Sequence, residues 1–150
     1  MNEQYAALIT QLPLFAGYTL HGAQFVLDTG EIAEFQQGEV LCREGDQANF
    51  AVLVLSGKVQ VYIERDGRTL ALKEAGPGSV LGELGLLCGI PRAASMRASE
   101  KLIVLRWSSE NFRRMMMRNS ALSERIMRQS LQTLIDSEKA LLDTVVRKQS

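Results

Sequence analysis

Apolar and polar positions fall into three textures along the chain. From residue 3 to 28 the spacing is helical: Tyr5, Leu8, Ile9 and Leu12 share a face, Pro13 interrupts, and Leu20, Phe25, Val26 and Leu27 resume the pattern until Gly30. From Glu31 to Trp107 short runs of β-branched and apolar residues take over. They are cut at Gln36-Gln37-Gly38, Glu44-Gly45-Asp46, Ser56-Gly57, Asp66-Gly67, Gly76-Pro77-Gly78 and Ser99-Glu100. Asp66-Gly67, between Val59–Ile63 and Thr69–Leu72, predicts a two-residue hairpin turn, because both turn positions need φ > 0. Strands this short and evenly spaced predict a barrel or jelly roll rather than βαβ units.

After Trp107 the pattern is helical again. Ser108 or Ser109 caps a helix from Glu110 to Met117, and a second helix runs from Ser120 to Arg147 without Gly or Pro. In it Met127, Leu131, Leu134, Leu141 and Val145 keep a seven-residue repeat, with Glu138 as the polar interruption. A helix of that length extends about 42 Å, more than a small barrel covers. The expectation is therefore a homodimer through this helix, rather than a stripe packed back on its own barrel. The whole reads as one α+β domain over 1–150. N-terminal helices (1–30) precede an antiparallel β-barrel or jelly roll, a double-stranded β-helix (31–107), and C-terminal helices follow (108–150).

Composition narrows the function classes. Lys plus Arg (17) equals Asp plus Glu (17), and a net charge of zero argues against direct nucleic-acid binding. Arg113, Arg114 and Arg118 then read as a solvated helix face, and Met115-Met116-Met117 as packing under the barrel. Cys42 and Cys88 form no Cys-x-x-Cys pattern and read as two small buried thiols of a reduced chain. The start lacks a signal peptide's basic and apolar regions, and no apolar run approaches the roughly 20 residues of a membrane span. A cytoplasmic protein without a membrane partner is expected.

The chemistry concentrates between Gly78 and Ser95. Gly82 permits a tight turn after a strand, and Glu83-Leu84-Gly85-Leu86-Leu87 can form one helical turn before Gly89 and Pro91 end it. Such a turn serves mainly through its unpaired N–H groups, which favour an anion. Arg92 is expected to open the next strand with only alanines beside it, Ala93 and Ala94, and no local ion-pair partner. A guanidinium fork with backbone donors suits a singly charged phosphate diester, and Glu83 beside it can hold a sugar hydroxyl. The same residues also fit an ordinary loop with a surface ion pair. There is no Walker lysine, and Gly82-x-x-Gly85 is not a dinucleotide fingerprint.

The segment resembles the phosphate-binding cassette of the cyclic-nucleotide-binding domain family, Gly-Glu-Leu-(Ala/Gly)-Leu followed by Arg-(Ala/Ser/Thr)-Ala. Gly82, Glu83, Leu84, Gly85, Leu86, Pro91, Arg92, Ala93 and Ala94 match it, the flanking glycine turns match, and Pro13-Leu14-Phe15 resembles the family's N-terminal Pro-Leu-Phe. The resemblance, over about residues 5 to 147, implies that Arg92 clamps the exocyclic phosphate oxygens with N–H groups around Gly85 and Ala93. It implies that Glu83, with the Gly82 backbone, takes the ribose 2′-OH. Ala93 stands where members preferring cyclic GMP often carry Thr, which favours cyclic AMP. The Glu83–Arg92 spacing and Pro91 look like the kinase-regulatory and channel branch, whereas the long C-terminal helix looks like the cyclic-AMP receptor branch. Ser137 falls where that branch contacts adenine. Thr133 replaces an arginine of its helix and, with Leu134, is the next candidate for that contact.

Three functions follow as expectations. The first is a cyclic-AMP sensor that passes occupancy through its C-terminal helix to an effector or downstream domain. The second is a dimerising module with a degenerate pocket, or the sensory half of a transcription regulator whose DNA-binding module would lie beyond Ser150. The third is a haem, iron–sulfur or redox sensor, which would rest on His21 or on Cys42 and Cys88 alone. No cofactor is expected. Nor is an enzyme, since no nucleophile–base pair or second carboxylate stands beside Glu83. A ligand-facing Arg92 is expected to carry little of the core.

Overall fold

The computed structural model describes residues 2–149. Helix α1 (Asn2–Gln11) leads through a 3-10 turn (Pro13–Phe15) to α2 (Leu20–Leu27). Pro13 suits the first position of its turn, where no N–H is needed, and Thr19 Oγ1 caps α2 by accepting from Gly22 N at 3.1 Å. Only Ala23, Val26 and Leu27 of α2 are buried, at i, i+3 and i+4, whereas Leu20 and Phe25 are exposed. The helix forms as the pattern predicts, with a single stripe turned to the core because one helix side admits no more.

Eight strands follow: β1 (Glu31–Phe35), β2 (Val40–Cys42), β3 (Phe50–Ser56), β4 (Val59–Arg65), β5 (Arg68–Ala75), β6 (Val80–Leu81), β7 (Ser95–Ala98) and β8 (Leu102–Ser108). They form two antiparallel four-stranded sheets in the orders β1-β8-β3-β6 and β2-β7-β4-β5, a jelly roll. Strand β3 shows why its sequence is apolar without alternation. Val52 and Val54 face the second sheet, while Ala51, Leu53 and Leu55 pack beneath the helices. The β4–β5 hairpin turns at Asp66 (φ 54°) and Gly67 (φ 74°), as the Asp-Gly pair predicts.

Helix α4 (Ser109–Arg118) is capped by Ser108, whose Oγ accepts from Asn111 N at 3.1 Å. Of the methionine run, Met115 is buried, Met116 half-buried and Met117 exposed, because neighbouring helix positions lie about 100° apart and cannot all face inward. Helix α5 (Ser120–Gln149) docks on the sheets through Leu122, Ile126 and Ser130, one residue per turn. Met127, Leu131, Leu134, Leu141 and Val145 are exposed, as are Ile135, Leu142 and Val146. The repeat does not fold back on the barrel.

Candidate functional site

The cassette is assembled by three glycines with distinct tasks. After β6 comes Gly82, whose φ of 81° suits a residue without Cβ and which caps the start of the short helix α3 (Glu83–Cys88). A Cβ on Gly85 would sit 2.6 Å from the Ala48 Cβ, so glycine lets α3 lie against the loop before β3. Gly89 (φ 65°) closes the helix, its N–H bonding the Gly85 carbonyl. The chain then returns through an irregular stretch that bends at Ala93 and Ala94, and β7 begins only at Ser95. Arg92 therefore precedes the strand it was expected to open. Its backbone is nevertheless fixed on both sides, by Arg92 N to Asp46 O (2.9 Å) and Gly45 N to Arg92 O (2.8 Å).

From that anchored backbone the Arg92 side chain runs inward and is 6% exposed. Nη1 donates to Gly82 O at 2.8 Å and Nη2 to Phe50 O at 2.5 Å, with the guanidinium 4.7 Å over the Phe50 ring. Nε is buried with no hydrogen-bond partner. Leaving a buried charged donor unpaired costs about 1–3 kcal/mol or more. The side chain is thus held by two carbonyls and a ring, with its Nε–H unspent. These bonds also tie the cassette to β3, a structural part beyond the ligand-facing one expected of Arg92.

Glu83, at the first position of α3, is 7% exposed. Its Oε1 accepts from Ser130 Oγ of α5 at 2.8 Å, and no ion pair joins it to Arg92. The preceding residue, Gln129, pairs with β6 and the turn before it. Val80 N donates to Gln129 Oε1 at 2.8 Å, and Gln129 Nε2 donates to Gly78 O at 2.9 Å. One turn earlier Arg125 Nη1 donates to Leu14 O and Ala16 O, both at 2.9 Å. Successive turns of α5 thus grip the 3-10 turn, β6 and the cassette.

A cleft of about 240 Å³ opens between the cassette, the second sheet and α5. Gly82, Glu83, Leu84, Gly85, Arg92, Ala93, Ala94 and Thr133 all line it, so the structure gathers these eight candidates in one place. Ser137 is exposed and lines an adjoining groove of about 570 Å³, which shares Lys73, Val80, Leu81 and Thr133 with the cleft. Glu83 and Arg92 line it from the cassette and Lys73 from β5, while Val61, Leu81 and Met96 supply apolar wall. Such a lining suits a small ligand with both polar and apolar parts.

Sequence reasoning missed Ser130, Gln129, Phe50 and Lys73. Ser130 left a signal: it continues the buried spacing Leu122, Ile126 at i+8, a polar residue on a core stripe. Phe50 anchors Arg92 through a backbone carbonyl, which no residue type announces.

The family described as "Cyclic nucleotide-binding domain" matches residues 32–119, more than half of the chain and including the whole cassette. The chain belongs to the cyclic nucleotide-binding domain family. It is a regulatory domain of that family, similar to the cAMP-dependent protein kinase regulatory subunit of Emericella nidulans, with 29% identity over 115 residues, 77% of this chain and 27% of that protein. Two solved structures extend the likeness into α5. The Thermus thermophilus catabolite activator protein superposes with a TM-score of 0.77 at 26% identity, covering 89% of this chain and 63% of that one. The cAMP-binding acyltransferase from Mycobacterium smegmatis gives 0.72 at 29% identity, covering 89% and 42%. The chain thus spans about a quarter of the kinase subunit and under two thirds of either solved relative.

Among the described residues no group of three or more His, Cys, Asp or Glu could hold a metal ion, and His21 is exposed on α2. Cys42 is buried, and burial pushes its thiol pKa up although the Arg92 charge pulls it down. Cys88, expected inside, is exposed at the end of α3, because only Glu83 and Leu86 of that short helix turn inward. No helix among the described residues is long and apolar enough to cross a membrane.

Proposed function

We propose that this domain senses 3′,5′-cyclic AMP and passes its occupancy to α5. The observation that carries the reading is Arg92, buried and held on two carbonyls with Nε left without an acceptor. A phosphate oxygen supplies that acceptor, and the N–H groups around Gly85 and Ala93 complete the clamp. The neighbouring Glu83 carboxylate favours a singly charged diester over a doubly charged phosphate, because like charges at short range repel. It also accepts the 2′-OH, the hydroxyl left free when the 3′ and 5′ oxygens are cyclised. Both the kinase subunit and the acyltransferase carry cyclic AMP in their names, which supports the same ligand here.

Base selectivity follows from Ala93, which offers no hydroxyl beside Arg92. Cyclic AMP is expected to bind more tightly than cyclic GMP, and Ala93→Thr to narrow the gap. Competition of unlabelled nucleotides against a fluorescent cyclic AMP analogue measures both, and a wild-type preference for cyclic GMP overturns the assignment.

Transmission runs through α5, with Thr133 and Ser137 at the purine end. The exposed seam of Met127, Leu131, Leu134, Leu141 and Val145 is an apolar stripe of the kind that marks an interaction surface, and two parallel α5 helices bury it. Glu138 then approaches its symmetry mate, with Lys139 beside it to compensate. Light scattering at tens of micromolar is expected to give twice the chain mass of 16.6 kDa. Leu134→Glu is expected to return the mass to 16.6 kDa. A wild-type mass of 16.6 kDa with and without cyclic AMP rules the dimer out.

A further inference from the structure

We infer that Ser130 is a positioning residue for sugar recognition, acting through Glu83, so that the docked helix α5 sets how well the cleft reads a 2′-hydroxyl. The inference rests on the proposed role of Glu83 and adds a residue that neither the cassette motif nor the helix repeat singles out. A carboxylate as buried as Glu83 needs donors to stay in place. Its donor is the Ser130 hydroxyl, 2.8 Å from Oε1 and itself buried. With Oε1 engaged, Oε2 is the oxygen left to accept from a sugar hydroxyl. Ser130 in turn has little freedom: it follows Leu122 and Ile126 on the buried stripe, and its neighbour Gln129 makes two bonds to the backbone of Gly78 and Val80. Rotating or lifting α5 by a fraction of a turn withdraws the donor from Glu83. By linkage, a ligand that needs Glu83 correctly oriented favours the docked helix to the same extent that the docked helix favours the ligand.

The discriminating quantity is the ratio of dissociation constants for 2′-deoxy cyclic AMP and cyclic AMP, measured by calorimetry. A bond from the 2′-OH to a carboxylate makes that ratio about tenfold or more in the wild type. Ser130→Ala is expected to lower the ratio about threefold, the effect of losing one neutral donor. In a Glu83→Ala background the ratio is already near one, and adding Ser130→Ala leaves it there. Loss of helix docking alone would weaken both ligands equally, so an unchanged ratio in Ser130→Ala, with the wild type discriminating, overturns this inference and leaves the proposed function standing. A wild-type ratio of one removes the role of Glu83 and this inference with it. Absence of wild-type cyclic AMP binding is the separate result that sinks the proposed function itself. Ser130→Ala removes a single oxygen, and a melting temperature close to wild type identifies a ratio change as local.

Discussion

Arg92→Ala is expected to weaken cyclic AMP binding more than tenfold, the loss of a charge-assisted contact of about 1.5–3 kcal/mol. Lysine at the same position rescues poorly, because a compact ammonium lacks the planar fork whose separate nitrogens reach Gly82 O and Phe50 O. The structure adds a second readout. Removing Arg92 deletes two bonds to carbonyls but also removes the buried, unpaired Nε, and these effects oppose one another in the free protein. The unliganded variant should therefore stay folded. Ligand at a hundredfold excess over its dissociation constant stabilises the wild type by about 2.7 kcal/mol, or roughly 5–10 °C in Tm. A variant binding tenfold more weakly gains about half of that at the same concentration. Thermal melts with and without cyclic AMP check this, and equal ligand-induced shifts in the two proteins would show that Arg92 is not the clamp.

Gly82→Ala is expected to match Arg92→Ala in lost affinity without replacing a ligand-binding side chain. A methyl at position 82 falls onto Arg92 Nη1 and comes within 3.3 Å of Phe50 O. The far end of an arginine ordinarily swings aside at little cost. Here it is buried, lies over the Phe50 ring and holds two carbonyls, so it moves aside only by giving up those contacts. The left-handed φ of 81° adds about 1–2 kcal/mol for any residue with a Cβ. That corresponds to roughly 2–8 °C in Tm for a chain of this size. Calorimetry and a thermal melt measure the two effects separately, and retention of wild-type affinity would mean that Arg92 takes the ligand from another rotamer.

Much of the architecture was legible because it depends on local chemistry. The Asp66-Gly67 turn needs two positive φ values, and both are found. The cassette was legible because its residues are contiguous and each type has a task there: no Cβ at 82 and 85, a carboxylate at 83, a guanidinium at 92. What stayed hidden depends on which side of an element faces inward. Phe25 and Met117 are apolar yet exposed, and Cys88 is exposed on a helix whose inward residues are Glu83 and Leu86. In α5 two apolar stripes compete. The longer one, Met127 to Val145, drew attention, while the shorter one, Leu122 to Ser130, makes the contacts with the barrel. The bond from Ser130 to Glu83 spans 47 positions, and no local pattern reports a contact made across the fold. Ser137 was placed by counting along a resemblance, and the structure sets it in the groove beside the cleft.

The most direct test of the central claim is isothermal titration of cyclic AMP into the wild-type protein. One molecule bound per chain, competed by cyclic GMP only at higher concentration and weakened more than tenfold by Arg92→Ala, is the predicted result. No saturable heat at millimolar cyclic AMP, or saturation that is the same with and without the Arg92 side chain, would contradict it.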